Sequence, residues 1–166
     1  GFNKKKLKQR HEVLKTQHRM SADISKFSRE EFYTNSDGQA LQNASTINRE
    51  WEYNRYSSRA IWLDTPKSEK EKNNGDRRHY KEVDSIIKEI EHFINFAKSF
   101  PKNKDDEAWS IAVLTFYKPQ ETILREGLRK LCSQPNKMSR FHKNGVNILL
   151  YTVDKFQGME VDLVFL

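Results

Sequence analysis

Cysteine is nearly absent from this sequence, which contains only Cys132 among its 166 residues. A single thiol excludes an internal disulfide and a cysteine-based zinc site, and it fits a reducing compartment. No apolar run approaches the ~18 residues that a transmembrane helix needs, and no segment has the pattern of a signal peptide. These absences predict a cytoplasmic protein that no membrane segment anchors.

Motifs for several kinds of catalysis are missing as well. No Gly-x-x-x-x-Gly-Lys-Ser/Thr sequence is present to hold the phosphates of a nucleotide. The five histidines show no metal-ligand spacing, and scattered residues support no Ser-His-Asp grouping. We therefore predict no metal site, and no hydrolysis of a nucleotide without another domain.

Positive charge is what the chain has in excess. Its 30 Lys and Arg residues against 23 Asp and Glu residues give a net charge of +7. This balance favours a polyanionic partner, nucleic acid ahead of a membrane surface, although solubility alone also explains it. Hydrophobic residues make up 36% of the sequence, so the length suffices for one domain with a small core.

Hydrophobic periodicity predicts an alternation of strands and helices. The predicted helices cover residues 21–32, 79–100 and 119–131, and the predicted strands cover 11–17, 60–63, 110–115, 146–152 and 161–166. The polar stretches 34–59 and 67–78 are predicted to be long loops. This order is typical of an α/β fold with a mostly parallel sheet and helices on its faces. In such sheets ligands bind beyond the carboxyl ends of the strands.

The segment from Thr152 to Glu160 is the first candidate site. It is polar and lies between two apolar runs, 146–151 and 161–166. Its hydroxyl and amide groups can donate to a phosphate backbone, and its carboxylate can accept from a ribose hydroxyl. Gly158 would let backbone N–H groups approach a ligand closely. A plain surface turn is the alternative interpretation.

Arg19 is the second candidate, because it lies between a predicted strand and a helix that starts at Ser21. A guanidinium fixed there could bind a phosphate with two hydrogen bonds. Its position alone favours a surface salt bridge instead. Phe156, in the first candidate segment, is predicted to belong to the core rather than to stack on a base.

Three blocks of the sequence follow the motifs of a known family. Residues Leu14–Met20, Leu-Lys-Thr-Gln-His-Arg-Met, resemble Leu-x-x-Gln-Tyr-Arg-Met. Residues Ile111–Gln120 resemble Ile-Gly-Val-Ile-Thr-Pro-Tyr-x-x-Gln, with Phe116 in place of the usual proline. Residues Thr152–Asp162 resemble Thr-Val-Asp-x-Phe-Gln-Gly-x-Glu-x-Asp. These patterns are those of superfamily 1 helicases, in the group that includes the nonsense-mediated-decay helicase and the Dna-replication and senataxin-like enzymes.

The resemblance implies that five residues contact a nucleotide. Arg19 matches an arginine that contacts the γ-phosphate from across an interdomain cleft, with a catalytic role like that of an arginine finger. His18 stands where the family usually has a tyrosine near the adenine base, and histidine can still stack. Glu160 matches a glutamate that contacts the ribose, and Gln157 and Gly158 match residues near the phosphates.

The resemblance also implies a fold, an activity and partners. The chain would be the second RecA-like domain, of the P-loop NTPase type but without Walker motifs, of an ATP-dependent DNA or RNA helicase. Thr152 matches a residue that contacts the sugar–phosphate backbone of single-stranded or duplex nucleic acid. ATP and Mg²⁺ would be held mainly by an N-terminal RecA-like domain of the same chain.

On this interpretation residues 1–166 form one domain of a longer protein and are inactive alone. A non-catalytic module that keeps the fold and binds nucleic acid or another protein is the alternative.

Overall fold

A computed structural model of the chain describes residues 14–34, 38–47, 52–67, 71, 77–102, 108–135 and 139–166. The chain divides into two compact units, Gly1–Leu63 and Asp64–Leu166, here called the amino-terminal and the carboxy-terminal unit. Each unit has a sheet of its own. The expectation of a single domain over residues 1–166 stays a prediction.

Short elements make up the amino-terminal unit. Strand β1 (Thr16–Gln17) pairs in parallel with β2 (Gln42–Asn43), and helix α1 (Ala22–Phe32) lies between them in the chain. A 3₁₀ turn follows at Ser45–Ile47. Helix α1 was predicted with these bounds and with Ser21 as its N-cap, but the Ser21 hydroxyl makes no capping hydrogen bond.

The strand predicted at 60–63 is wrong. These residues form no strand, and their side chains are exposed, with Trp62 at 93% of its free surface. A short apolar run becomes a strand only where another strand pairs with it, and no strand in the described part of the chain pairs here. Apolar composition without a partner therefore misled the prediction.

Other predictions in this region are confirmed in part. The strand predicted at 11–17 exists at its end as β1, and residues 11–13 lie outside the described residues. The long loop predicted at 34–59 contains β2 and the 3₁₀ turn, and residues 35–37 and 48–51 are again outside. Of the loop predicted at 67–78, residues 68–70 and 72–76 are not described.

A four-stranded sheet forms the centre of the carboxy-terminal unit, in the order β4-β5-β3-β6. The strands are β3 (Trp109–Thr115), β4 (Arg140–Lys143), β5 (Val146–Thr152) and β6 (Leu163–Phe165). Strand β3 is parallel to both of its neighbours, while β4 is antiparallel to β5. The predicted α/β class is confirmed as a mixed sheet, mostly parallel, that helices flank.

Three helices accompany this sheet, namely α2 (Tyr80–Ser99), α3 (Lys118–Cys132) and the single turn α4 (Val153–Phe156). The first two match the predicted helices closely. Helix α4 was not predicted, and it shows that one helical turn occupies the start of the polar segment 152–160. None of the described helices combines the length and apolar character that crossing a bilayer requires.

The core of the carboxy-terminal unit lies between β3, β5 and the two long helices. Ile111, Ala112 and Val113 are completely buried, as expected for a central parallel strand that is covered on both faces. The apolar stripe of α2 supplies most of the rest of the core, and Ile90 and Phe93 in this stripe are also completely buried. The stripe therefore faces the core, in keeping with the hydrophobic periodicity from which a helix over 79–100 was predicted.

Helix α3 packs closely on α2 because it contains a glycine. A Cβ atom added to Gly127 would lie 3.0 Å from Ile87 Cγ1 and 3.4 Å from Val83 Cγ1. Glycine in a helix costs about 1 kcal/mol relative to alanine. The close packing of α2 against α3, which a side chain at this position would obstruct, offsets that cost.

Strand β4 and its hairpin were missed from the sequence. Asn144 and Gly145 join β4 to β5 with φ angles of 47° and 76°, a two-residue turn in which both residues have positive φ. Asn-Gly is the strongest sequence signal for such a turn. The signal was present, but the polar strand Arg140–Lys143 carries only one buried apolar residue, Phe141, so its alternation was weak.

Candidate functional site

Strands β3 and β5 end side by side, and this edge of the sheet is the first part of the candidate site. Thr115 and Thr152 are register partners and are the last residues of their strands. The chain leaves both strands here, into α3 and α4. The position agrees with the rule that ligands of parallel sheets bind beyond the carboxyl ends of the strands. Thr152, predicted as a nucleic-acid contact, lies at this edge.

The segment after α4 is open to solvent. Gln157, Gly158, Met159 and Glu160 are all exposed, and the Met159 amide donates to the Phe156 carbonyl at 3.1 Å. Gly158 has a φ of +86°, which L side chains rarely adopt, and no atom lies within 4 Å of where its Cβ would be. The backbone at Gly158 is therefore open on the side where a side chain would lie.

Phe156, predicted to belong to the core, is only half-buried. Its position on the one-turn helix α4 places it at the rim of the packed interior.

Asp162 fastens the end of this segment to the opposite edge of the sheet. Its Oδ2 accepts from the Ser110 amide at 2.9 Å, from the Ser110 hydroxyl at 2.7 Å and from Lys102 Nζ at 2.9 Å. Its own amide donates to the Ser110 carbonyl at 3.1 Å. Asp162 therefore holds β6 at the amino end of β3. Sequence reasoning gave it no role, although an acidic residue directly before an apolar strand was a usable signal.

The segment is attached to β3 at both ends of that strand, and this separates Thr152 from Glu160. Thr152 is level with Thr115, and Asp162 is bonded to Ser110, five residues earlier in β3 and about 17 Å away at ~3.3 Å per residue. Glu160 precedes Asp162 by two residues, so it stays within about 7 Å of the amino-end anchor. The two predicted contacts therefore belong to different ends of one segment.

Exposed aromatic rings follow β3 at the carboxyl edge, and sequence reasoning did not identify them. Phe116 is 67% exposed and Tyr117 is 45% exposed, with ring centroids 6.5 Å apart. The guanidinium of Arg77 lies 4.5 Å from the centroid of the Tyr117 ring, in a cation–π contact. Phe116 and Tyr117 are here called the aromatic pair.

A buried polar network brings the start of α2 to the same edge. The Gln120 side chain accepts from the His79 amide at 2.7 Å and donates to Glu82 Oε1 at 3.0 Å. His79 Nδ1 accepts from the Glu82 amide at 3.2 Å, so its other ring nitrogen is the one that donates to the Thr65 carbonyl, at 2.5 Å. The Gln120 side chain also donates to the His79 carbonyl at 3.3 Å, so the network ties the start of α3 to the start of α2.

The turn that carries Arg19 is held by one side chain in the amino-terminal unit. Gln17 Oε1 accepts from the amides of Arg19 and Met20, both at 2.9 Å. Gln17 Nε2 donates to the Met20 carbonyl at 2.7 Å and to Asn43 Oδ1 at 2.5 Å. Residues 17–20 are here called the Gln17-held turn. Gln17 thus fixes the backbone from which the exposed side chains of His18 and Arg19 project.

Ser25 links the same turn to helix α1. It is completely buried, and its hydroxyl donates to Asn43 Oδ1 at 3.0 Å, the atom that also accepts from Gln17. Arg29 Nε donates to the Ser25 hydroxyl at 3.2 Å, and Arg29 Nη1 donates to the Leu41 carbonyl at 2.9 Å. Turn, helix and strand β2 therefore form one hydrogen-bonded assembly.

Asp23, in the first turn of α1, fixes a loop of the amino-terminal unit. Its Oδ2 accepts from the Arg59 amide and from the Ser58 hydroxyl, each at 3.0 Å. These bonds, that of the amide first, lower the pKa of the Asp23 carboxyl because they stabilise its charged form. The contact is exposed to solvent, so it positions the loop more than it stabilises the fold.

The predicted site residues thus fall into two sets along the chain. His18 and Arg19 share the Gln17-held turn, while Thr152, Gln157, Gly158 and Glu160 lie along the segment after β5. Their roles stay predictions. Among the described residues no group of three His, Cys, Asp or Glu side chains could hold a metal ion.

Comparison with known proteins places the chain in a family. A family model described as an AAA domain matches residues 2–166. No curated protein and no solved structure matches the chain. The chain belongs to this AAA-domain family, which is found in superfamily 1 helicase-like proteins.

Proposed function

We propose that this chain is the second RecA-like motor domain of an ATP-dependent superfamily 1 helicase acting on DNA or RNA. Its partners would be a first RecA-like domain of the same protein and a single strand or duplex of nucleic acid. Membership of a family found in helicase-like proteins supports the proposal. So do the basic charge of +7 and the two groups of predicted contact residues.

The observation that carries the proposal is the Gln17-held turn. The Gln17 side chain makes three hydrogen bonds to the backbone of Arg19 and Met20 and a fourth to Asn43, although His18 and Arg19 are exposed. An ordinary surface turn does not need such support. A guanidinium that must meet a phosphate in one geometry does, because preorganisation avoids ordering it during the reaction.

Arg19 would place positive charge beside the γ-phosphate as charge develops there. An arginine in this role contributes about 10³- to 10⁵-fold to the rate of phosphoryl transfer. His18, next to it, would stack on the base. Bound ATP with Mg²⁺ would supply the phosphoryl group and neutralise part of its charge, held mainly by the first domain.

The segment after β5 would contribute to both ligands. Glu160 would accept a hydrogen bond from the ribose, and the open backbone around Gln157 and Gly158 fits an approach to phosphate oxygens. Thr152, at the opposite end of the segment, would donate its hydroxyl to the sugar–phosphate backbone. Contacts to the backbone predict little sequence preference and strong salt dependence.

The test is the single-strand-stimulated ATPase rate of the full-length protein that contains this chain. We expect Arg19→Ala to lower kcat by about 10³-fold or more, because the transition-state charge loses its partner. Lys26→Ala, which removes another exposed positive charge from the same unit, is the matched control and should leave kcat unchanged.

An unchanged rate in Arg19→Ala would remove the role proposed for Arg19. A full-length wild type that binds single strands but shows no stimulated ATPase would contradict the motor proposal and favour the non-catalytic binding module.

A further inference from the structure

We propose that Phe116 stacks on a base of the single strand whose backbone Thr152 contacts, and that Tyr117 with Arg77 forms the wall beside it. The inference rests on the proposed function, since it adds a base contact to the proposed backbone contact. It concerns a residue that distinguishes this chain, because phenylalanine stands where the resemblance predicts proline.

Exposure is the first observation. Residues Ile111–Thr115 of β3 are all buried, and the next residue, Phe116, leaves 67% of its surface in water. An exposed phenylalanine forgoes the burial that its ring would otherwise gain. At the carboxyl edge of a parallel sheet, where ligands bind, an exposed flat ring has the properties of a stacking surface.

Rigidity is the second observation. The Tyr117 amide donates to the Thr115 hydroxyl at 3.3 Å, and Tyr117 is the N-cap residue of α3. Phe116 therefore lies between a buried strand and a helix start, and its backbone is fixed on both sides. A ring on such a support loses little freedom when a base stacks on it.

Arg77, which lies on the Tyr117 ring, adds positive charge beside Phe116. Arg77 lies over the Tyr117 ring at 4.5 Å from its centroid, which covers one face of that ring. The contact places a guanidinium at the edge where a phosphate backbone would pass. Phe116 is thus the member of the aromatic pair whose ring a base can cover, and Tyr117 with Arg77 borders it.

The register of β3 and β5 sets the distance between Phe116 and Thr152, the residue proposed to contact the sugar–phosphate backbone. Thr115 and Thr152 are paired on adjacent strands, whose backbones lie about 4.8 Å apart. Phe116 is one residue further, about 3.8 Å, so its Cα lies within about 9 Å of the Cα of Thr152. A strand whose sugar–phosphate backbone meets Thr152 can therefore place a base on Phe116.

The test measures the affinity of the full-length protein for two single strands of equal length, poly-dT and a strand with abasic sites. We expect Phe116→Ala to weaken binding of poly-dT by about 5- to 150-fold, the range for loss of one aromatic–base stack. On the abasic strand the same variant should bind as the wild type does. Its dependence of affinity on salt concentration should also be unchanged, because the phosphate contacts remain.

Two further variants control for the fold. Phe116→Tyr keeps a ring and should bind poly-dT as the wild type does. Phe100→Ala removes another exposed phenylalanine side chain, 46% exposed, from the other edge, where the Phe100 carbonyl accepts from Trp109 Nε1. It should leave the affinity for both strands unchanged.

Equal affinity of Phe116→Ala and wild type for poly-dT would overturn the inference. An equal loss on both strands would also overturn it, because the ring would then act on the backbone or the fold. A raised KM for ATP with unchanged strand affinity would assign the ring to the nucleotide instead. A wild type without stimulated ATPase would contradict the motor proposal separately, whatever Phe116→Ala does to binding.

Discussion

The two units of this protein hold their candidate site residues by different means. All of the buried apolar side chains in the described residues belong to the carboxy-terminal unit, between Val83 and Leu150. In the described part of the amino-terminal unit the one buried side chain is Ser25, which is polar. Thr152 is therefore positioned by a packed sheet, and Arg19 by a hydrogen-bonded turn.

Because of this difference, the two sites should respond differently to amino-acid substitutions. Apolar burial acts on a whole packed unit, because each core side chain touches many others. A hydrogen-bonded turn depends on a few atoms, and its net stabilisation is about 1 kcal/mol per bond. Core changes should therefore unfold the carboxy-terminal unit, whereas changes near Arg19 should alter local order and activity without unfolding.

The largest expected effect tests the packed side of this comparison. Phe93 is completely buried and packs edge-on against Trp109, with ring centroids 5.7 Å apart. Phe93→Ala should lower the free energy of unfolding by about 3–5 kcal/mol. Phe27, 67% exposed on α1, is the matched residue in the other unit, and Phe27→Ala should cost about 1 kcal/mol or less.

Urea unfolding of the two phenylalanine variants measures the loss in the free energy of unfolding for each. Similar losses in the two would show that α1 is packed as tightly as α2, and the contrast between the units would be lost.

A medium effect is expected at the Gln17-held turn. Gln17→Ala removes four hydrogen bonds and should destabilise the turn by about 1–2 kcal/mol, less than four full bonds because the turn is only part-buried and water replaces the lost partners. Hydrogen exchange should accelerate at the amides of Arg19 and Met20, while the amides of β3 keep their protection. Gln42→Ala, an exposed glutamine in β2, is the matched control.

The Gln17 variant also bears on the proposed function. Its stimulated ATPase rate should fall, since an unfixed Arg19 meets the phosphate less often in the right geometry. Faster exchange with an unchanged rate would show that order in this turn is not needed for catalysis.

The smallest effect is a pH dependence at Asp23. Hydrogen bonds from the Arg59 amide and the Ser58 hydroxyl lower the pKa of its carboxyl below the usual value of about 3.9. Because the folded-state pKa is depressed, the contribution is fully present above the usual pKa and is lost as the pH falls through the lowered one. Exchange at the Arg59 amide should therefore increase in acid beyond its intrinsic pH dependence.

Asp23→Asn provides the control, because the variant has no carboxyl to titrate. If wild type and Asp23→Asn show the same acid dependence at Arg59, another group is responsible for it.

The sequence predicted the carboxy-terminal unit better than the amino-terminal one, and burial explains why. Helices α2 and α3 and strands β3 and β5 each carry enough apolar residues for their period to be unambiguous. Strand β4 carries one buried apolar residue, Phe141, so its alternation could not be seen. At residues 60–63 the apolar run predicted a strand, but no described strand pairs with these residues.

Candidate site residues were found by motif, and the residues that support them were not. Arg19 and Thr152 stand in recognisable patterns, whereas the Gln17–Asn43 bond joins residues 26 apart and the Asp162–Ser110 bonds join residues 52 apart. Periodicity and motif spacing are local properties, so they cannot reveal contacts that only the folded chain creates. The exposed state of Phe116 is another such property, since its position after an apolar strand suggested nothing about solvent.

Strand β4, the hairpin partner missed from the sequence, has a consequence for behaviour in solution. An open sheet border is a template on which a second polypeptide can assemble into larger aggregates. Along β4 the exposed positions carry Arg140 and His142, and Lys143 follows them. The positively charged Arg140 side chain repels an identical neighbour, so self-association through this border of the sheet should be disfavoured while the protein is handled at high concentration.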